Sequence, residues 1–516
     1  MSRSKYILKT LGCKANLYDS QVLEKELKER GWAPENSSPL ARDGGADLVI
    51  INSCTVTNEA DRQTRKLASQ LARENPQASV VVTGCGAEVD PQGLLQVPGV
   101  QWVVGNQDKT RLVDLVQSKI DSHILNTSPS HPEILGGVQN YSEILSRHPM
   151  DRPWPSAVES FSPPPTYSTQ SDHGFVDKTR AFVKIQEGCN SFCTYCIIPY
   201  GRGPSRSLDP DRLIQQIQNL VDQGVKEVIL TGTNLGDYGS SEAGITQGTE
   251  SLASNKTEKL LKLIEAILEK TPLARLRLSS LDPGEITSEL TDFMAENPRL
   301  CPHFHVSLQS PHSRILKLMK RNYRFEEVEE CLLRISKIPA PVGGVFVGMD
   351  VITGFPGETK EEFDWTLKAL ESLPWSRLHV FPYSERNGTP ATRLPHPVRP
   401  EERVRRARAL NELSLERQKQ NAKTIIAHCQ AHGLQLENIL MEKPSLGSSE
   451  TQGQTRKVWV SGLTPNYLRV LVQGQKIPQR NQLVSAQPID LMIDSKAKDV
   501  AFVVDQLAET EPADRL

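Results

Sequence analysis

Glu187-Gly188-Cys189-Asn190-Ser191-Phe192-Cys193-Thr194-Tyr195-Cys196 carries three cysteines in the spacing C-x3-C-x2-C. A cubane 4Fe–4S cluster has four irons and normally takes four thiolates. Three closely spaced cysteines hold three irons and leave the fourth open. An open iron can chelate the amino and carboxylate groups of S-adenosylmethionine and, with one electron, cleave its sulfonium. The resulting 5′-deoxyadenosyl radical takes hydrogen from unactivated C–H bonds, while the protein supplies placement and shielding. Two plainer readings compete. Zinc prefers four ligands, usually in C-x2-C or C-x4-C pairs, and no histidine lies close by in sequence to complete a site. A disulfide arrangement would leave one thiol over. The spacing favours the cluster.

Outward from the triad, residues 179–395 offer six strand candidates: Ala181–Gln186, Val225–Leu230, Ala274–Ser279, His303–Leu308, Val345–Ile352 and Arg377–Tyr383. Helical segments such as Asp211–Gln223 and Glu361–Leu373 separate them. Six βα units predict a partial (β/α)6 barrel with its chemistry at the carboxyl ends of the strands. The triad follows the first strand, where such a site belongs.

Residues 1–125 also alternate strand and helix. Tyr6–Lys9, Leu48–Ile51 and Ser79–Thr83 read as strands, and Asp19–Arg30 and Asn58–Arg73 as helices, which predicts a parallel α/β domain. Cys13, Cys54 and Cys85 each fall just after a strand. Loops at the carboxyl ends of parallel strands gather at one edge, so these distant cysteines can converge. Each alone reads as a buried core thiol. Three in the same topological position favour a second metal cluster.

Residues 126–178, rich in Pro and Ser, read as a linker with little structure of its own, and residues 239–257 as a long surface loop. Residues 399–425 carry eight Lys/Arg against four Glu, either a solvated helix face or a phosphate-facing surface. The short alternating runs Asn438–Met441, Arg456–Val460 and Leu468–Val472 suit a small antiparallel β-barrel over 426–492, with 493–516 as a tail.

Composition limits the class of protein. The chain has 516 residues, 37% hydrophobic and 24% charged, with net charge −2. That suits a soluble protein of about three domains, and any nucleic-acid surface must be local. No apolar run approaches membrane-spanning length, and the start lacks a signal-peptide core. Nine cysteines, an odd number, argue for a reducing, cytoplasmic setting in which thiolates serve as ligands. Cys301, Cys331 and Cys429 are expected to be ordinary buried thiols.

These motifs together resemble the methylthiotransferase family of radical-SAM enzymes over nearly the whole chain. The first domain does so through Leu-Gly-Cys-Lys-Ala-Asn, Asn-Ser-Cys-Thr-Val-Thr and Thr-Gly-Cys. The middle does so through Cys-Asn-Ser-Phe-Cys-Thr-Tyr-Cys-Ile-Ile-Pro-Tyr-Gly-Arg-Gly, His-Val-Ser-Leu-Gln-Ser and Asp-Val-Ile-Thr-Gly-Phe-Pro-Gly-Glu-Thr. Gly-Leu-Thr-Pro-Asn-Tyr near the end resembles a TRAM RNA-binding module. Within the family, Ile-Gln-Glu-Gly-Cys and Leu-His-Val-Phe-Pro-Tyr-Ser-Glu-Arg-Asn-Gly-Thr-Pro look most like the branch acting on N6-threonylcarbamoyladenosine beside the tRNA anticodon.

The resemblance implies two 4Fe–4S clusters and S-adenosylmethionine. The radical cluster would sit on Cys189, Cys193 and Cys196, and an auxiliary, sulfur-delivering cluster on Cys13, Cys54 and Cys85. It implies methylthiolation at C2 of the nucleoside. Expected partners are the tRNA anticodon loop, an unidentified electron donor and a sulfur source, with no membrane, and the protein is expected to act as a monomer. Gly232, Arg277, Gln309, Asp350 and Gly354 are candidates for binding the cofactor, and Gly357 for close approach to its adenine. Phe192 and Tyr195 are candidates for shielding the cluster, and Asn16 for a hydrogen bond near the auxiliary one. Arg405, Arg406, Trp459, Asn466 and Tyr467 are candidates for RNA contact. Each has a structural alternative as a turn, a helix cap, a strand-end polar group or a core aromatic. Where the family usually continues Leu-Gln-Ser with Gly-Ser-Asp, this chain has Pro311, His312 and Ser313, and proline changes that loop's backbone. Competing functions are a sister enzyme acting on isopentenyladenosine in tRNA or on a ribosomal-protein aspartate, and a non-enzymatic iron–sulfur RNA-binding protein.

Overall fold

A computed structural model describes residues 4–35, 45–125, 132–137, 179–239, 251–442, 459–473, 478–494, 498–504 and 507–509. The first domain is a six-stranded parallel sheet in the order β2-β1-β3-β4-β5-β6. Its strands are β1 (Lys5–Thr10), β2 (Ala33–Pro34), β3 (Leu48–Ser53), β4 (Ser79–Gly84), β5 (Trp102–Val104) and β6 (Glu133–Leu135). Continuous apolar runs such as Leu48–Ile51 are buried on both faces, as a parallel sheet covered by helices requires. One face packs Leu23 and Leu27 of helix Lys14–Glu29. The other packs Ala68 and Leu71 of helix Asn58–Glu74, whose start is capped by the Thr57 hydroxyl accepting from Ala60 N at 3.1 Å. β6 lies in the segment expected as an unstructured linker. The rest of that segment lies outside the described residues.

Among the described residues, the central domain contains seven parallel strands in chain order. β7 (Arg180–Lys184), β10 (Glu227–Thr231) and β11 (Arg275–Leu278) form one sheet. β12 (Ser280–Leu281), β13 (His303–Gln309), β14 (Phe346–Thr353) and β15 (Arg377–Pro382) form the next. A single parallel bridge between Leu276 and Leu300 joins the two. All six expected strands are present, each within two residues of its expected bounds at both ends. A small antiparallel pair, β8 (Gln186–Glu187) and β9 (Arg206–Ser207), brackets the cysteine triad. Helix Ser251–Lys270 begins inside the segment expected as a loop over 239–257. Residues 240–250 of it lie outside the described residues.

Helix Pro400–His432 runs 33 residues from a proline in its first turn to Gly433, whose left-handed φ of 64° ends it. It leads into a sheet ordered β20-β21-β18-β17-β16-β19-β22. Those strands are β16 (Leu436–Met441), β17 (Trp459–Leu463), β18 (Arg469–Gln473), β19 (Leu483–Ala486), β20 (Asp490–Asp494), β21 (Asp499–Val504) and β22 (Ala508–Glu509). Pairing is antiparallel except between β18 and β21. Residues 493–516, expected as a tail, therefore contribute two strands, and Phe502 and Val504 are buried in this domain's core. No helix among the described residues is long and apolar enough to cross a membrane.

Candidate active site at the meeting of two cysteine sets

Three loops at the carboxyl edge of the first sheet bring Cys13, Cys54 and Cys85 together. Gly12, with φ of 95°, lies so close to Cys54 that a Cβ there would stand 2.7 Å from its Sγ. Only glycine tolerates both that backbone and that approach. Gly86 lies against Ser53 and the carbonyl of Cys54. Side chains lock the three loops. Ser53 Oγ accepts from Gly86 N at 3.1 Å and Ala87 N at 3.2 Å. Asn16 Nδ2 donates to the carbonyls of Leu11 and Ser53, both at 2.8 Å. Asn16 thus braces two of the cysteine loops and is not a helix cap. The cap position is Cys13.

The second set lies on the loop after β8. Gln186 fixes it, donating to Gly188 O at 2.7 Å and accepting from Asn234 N at 2.9 Å. Gly232 packs against the same Gln186, where a Cβ would meet its side chain at 2.9 Å, so the loop after β10 lies beside the loop that carries Cys189. Arg321 donates to Cys193 Sγ at 3.2 Å and also pairs with Asp282. Phe192 packs edge-on to Tyr200 and Tyr195 edge-on to Phe355, so aromatic rings flank the triad.

The two sets face each other. Asn106 Nδ2 lies 3.5 Å from Cys85 Sγ and donates to Gly201 O at 2.6 Å, in the short helix just after the triad. Gly201 packs on Cys85. All nine cysteines are free thiols. Burial pushes Cys54 up to about 12, with the Cys85 thiol adding to it, and pushes Cys196 up to about 12, with Cys193 adding to it. Among the described residues, no three ligand side chains stand at the spacing of a single bound ion.

A buried ionic group joins the domains beneath these sets. Lys184 Nζ bonds Asp19 at 2.6 Å, Lys109 Nζ bonds Asp19 at 3.0 Å, and Arg202 bonds Asn16 at 2.5 Å. Lys184 and Arg202 both pair with Glu187. Arg386 adds a second clasp, reaching Thr55 at 2.6 Å and Asp61 and Asn58 at 2.7 Å. Sequence reasoning missed Arg321, Asn106, Arg202 and Arg386 as site residues. Their partners lie tens to hundreds of positions away, and only the quoted Pro-Tyr-Gly-Arg-Gly and Ser-Glu-Arg-Asn-Gly motifs marked two of them.

The other cofactor candidates divide. Gln309 ends β13 with φ of 60°, a conformation unusual for a residue with a Cβ, at the carboxyl edge. Asp350 accepts from His305 Nε2 at 2.9 Å, tying β14 to β13. Arg277 is buried on β11 and pairs with Glu227 at 2.8 Å, toward the amino-terminal edge. Gly354 lies against the long helix, where a Cβ would collide with Arg403 at 2.4 Å, and Gly357 N bonds His396 O. Both glycines serve the approach of chain segments to each other.

Of the RNA candidates, Asn466 and Arg406 are buried, Tyr467 is half-buried and Arg405 is exposed. Asn466 is buried and donates to the carbonyls of Val342 and Gly344, both at 2.9 Å. Tyr467 packs at a tilt on His303, with ring centroids 4.5 Å apart, and its ring lies 5.0 Å from the Arg277 guanidinium. The Thr-Pro-Asn-Tyr turn is thus a joint between domains. Arg406 is also buried, paired with Glu358 at 2.7 Å and Glu402 at 2.9 Å. Arg405 is exposed and pairs with Glu402 at 2.6 Å. Trp459 begins β17, and its side chain lies outside the described residues. Tyr467→Ala is expected to destabilise the protein by about 1–2 kcal/mol, less than a core truncation because the ring is half-buried. RNA affinity per folded molecule should stay the same. Equal stability with weakened RNA binding would restore the surface reading.

Two family models match: the Radical SAM superfamily over residues 183–370 and the Uncharacterized protein family UPF0004 over residues 5–105. The chain is similar to the threonylcarbamoyladenosine tRNA methylthiotransferase MtaB of Bacillus subtilis, 34% identical over 90% of this chain and 89% of that protein. It is equally similar, at 34% identity over 81% of this chain and 89% of the relative, to MtaB of Aquifex aeolicus. Among solved structures, the radical S-adenosylmethionine methyltransferase TsrM from Kitasatospora setae aligns with a TM-score of 0.47 at 16% identity, over 74% of this chain and 75% of that one. With both cysteine sets in place and near-full-length relatives on each side of them, the chain belongs to the radical-SAM methylthiotransferase family, in its MtaB branch.

Proposed function

We propose that this protein transfers a methylthio group to C2 of N6-threonylcarbamoyladenosine beside the anticodon of tRNA. The observation that carries the reading is the pair of three-cysteine sets facing each other across Asn106 and Gly201. In this reading Cys189, Cys193 and Cys196 hold a 4Fe–4S cluster, and Cys13, Cys54 and Cys85 hold a second one. Held there, the first cluster with S-adenosylmethionine would supply radical chemistry and the methyl group, and the second would supply sulfur.

The chain's own residues then have defined tasks. Gln186 holds the loops of Cys189 and Gly232 in register. Arg321 directs an N–H at Cys193 Sγ, which lowers electron density on that sulfur. Phe192, Tyr195, Tyr200 and Phe355 keep water from the triad. Asn16 and Ser53 fix the auxiliary loops, and Arg202 places positive charge beneath them. The carboxyl-terminal sheet acts as a TRAM-like module. With the exposed Arg399, Arg405, Arg408 and Lys423 of the long helix, it contacts phosphates of the tRNA. The electron donor and the source of replacement sulfur are separate partners.

Nucleoside mass spectrometry of bulk tRNA with and without the protein tests the reading. The 2-methylthio derivative of threonylcarbamoyladenosine should appear only with it. A mark on isopentenyladenosine, or on a ribosomal aspartate with tRNA unmodified, assigns a sister activity instead.

A further inference from the structure

The inside of the central strands holds a polar hollow to which the reading above gives no task. His305 on β13 and His379 on β15 flank β14, with ring centroids 5.1 Å apart. Gly348 of β14 lies between them without a side chain, and His305 and Asp350 keep 17% and 21% of their side chains exposed there. A Cβ there would stand 3.6 Å from His379 Nε2 and 3.7 Å from His305 Nδ1. Asp350 takes His305 Nε2, so these two nitrogens border the gap without a hydrogen-bond partner among the described residues. Deeper in, Arg277 Nη1 and His303 Nδ1 are buried and unpartnered.

Lys14 enters the same hollow from the first domain. Its ammonium lies within electrostatic reach of Arg277, Asp350 and Arg180 as well as Cys13. It makes no hydrogen bond or ion pair among the described residues. Arg277 and Arg180 are committed to carboxylates, Glu227 and Glu442. Lys14 is therefore a half-buried cation without a direct anionic partner among the described residues, within electrostatic reach of His303 and His379. Such a place favours an anion with hydrogen-bonding oxygens.

We propose that this hollow binds the carboxylate of the threonylcarbamoyl group, with Lys14 as its charged partner and His305 and His379 as hydrogen-bonding walls, a specificity site that rests on the substrate reading above. An isopentenyl tail would leave the ammonium and both imidazoles desolvated and unpaired, so the site selects against it. Because Lys14 directly follows Cys13, a side chain anchored there holds its base beside the auxiliary cysteine set. A carboxylate also occurs in the methionyl part of S-adenosylmethionine, and the test separates the two sources.

Two anticodon stem-loop RNAs are compared on the reconstituted holoenzyme, one bearing threonylcarbamoyladenosine and the other its threoninamide counterpart. Dissociation constants and initial rates of methylthio product are measured at matched iron content. The wild type should favour the carboxylate RNA by about 10–100-fold, the range of a charge-assisted hydrogen bond. Lys14→Gln should reduce that preference to about threefold or less, and Lys14→Arg should keep most of it. Gly348→Ala, which fills the gap without touching Lys14, should weaken the carboxylate RNA and leave the amide RNA less affected. If Lys14→Gln does not load iron, the comparison of Lys14→Arg with Gly348→Ala carries the test. Full preference retained in Lys14→Gln, or in Gly348→Ala, overturns the inference. So does a loss of S-adenosylmethionine affinity in Lys14→Gln as large as the loss of RNA affinity, which would assign the group to the cofactor. Absence of any methylthio product from wild-type enzyme and the carboxylate RNA overturns the substrate reading itself.

Discussion

Cys193→Ala is expected to abolish 5′-deoxyadenosine formation and to lower methylthio product by more than about 1000-fold, as loss of the group that carries the chemistry should. Cys54→Ala is expected to stop the methylthio product equally while leaving part of the cofactor cleavage. The asymmetry follows from the placement of the two thiols. Cys193 belongs to the set that Gln186 and Arg321 hold on the central domain. Cys54 belongs to the set that Asn16 and Ser53 hold on the first domain. Iron content gives an independent reading. After anaerobic reconstitution, the wild type should hold about eight irons per chain, and replacing all three cysteines of either set should leave about four. Normal product from Cys54→Ala would remove the sulfur-delivery assignment, and a fully loaded wild type with four irons would remove the second cluster.

The periodic parts of the chain could be read from sequence. Apolar runs such as Leu48–Ile51 and Val80–Val82 can be buried on both sides only in a covered parallel sheet, and they are. The topological position of Cys13, Cys54 and Cys85 after their strands was enough to foresee their convergence. Bracing groups were not legible, because a partner pair such as Asn106 with Gly201, or Arg386 with Thr55, has no sequence pattern linking its members. Charge patterns misled for a related reason. Arg406 reads like Arg405, yet one is buried on Glu358 and the other exposed. A helix turns a new face every few residues, and composition does not record which face meets the protein.

Arg202→Met is expected to cost about 3–5 kcal/mol of stability near neutral pH, the range for removing one partner of a buried ionic network. Arg202, Lys184 and Lys109 surround Asp19 and Glu187, all buried where the two cysteine-bearing domains meet. Burial alone would raise both carboxyl groups. The three cations outweigh it, holding Glu187 down at about 2 and Asp19 well below the usual carboxylate range. A carboxylate depressed in the folded state contributes stability above its unfolded value of ~4 and loses it as pH falls toward the folded value. The wild type should therefore weaken between about pH 5 and pH 2. Arg202→Met lets both carboxyl groups rise toward ordinary values, so its own acid sensitivity should be smaller. The difference between the two proteins should be widest near neutral pH and narrow on acidification. Denaturant unfolding at neutral pH and near pH 4 reads both quantities. Glu187→Gln added to Arg202→Met should recover part of the loss, because it removes a charge that the first substitution leaves exposed to burial without its guanidinium. Arg202→Lys should recover less, since one ammonium cannot span Asn16 and Glu187 as the planar fork does. An Arg202→Met protein as stable as wild type at neutral pH, with unchanged acid response, would mean that packing alone holds the two cysteine sets face to face.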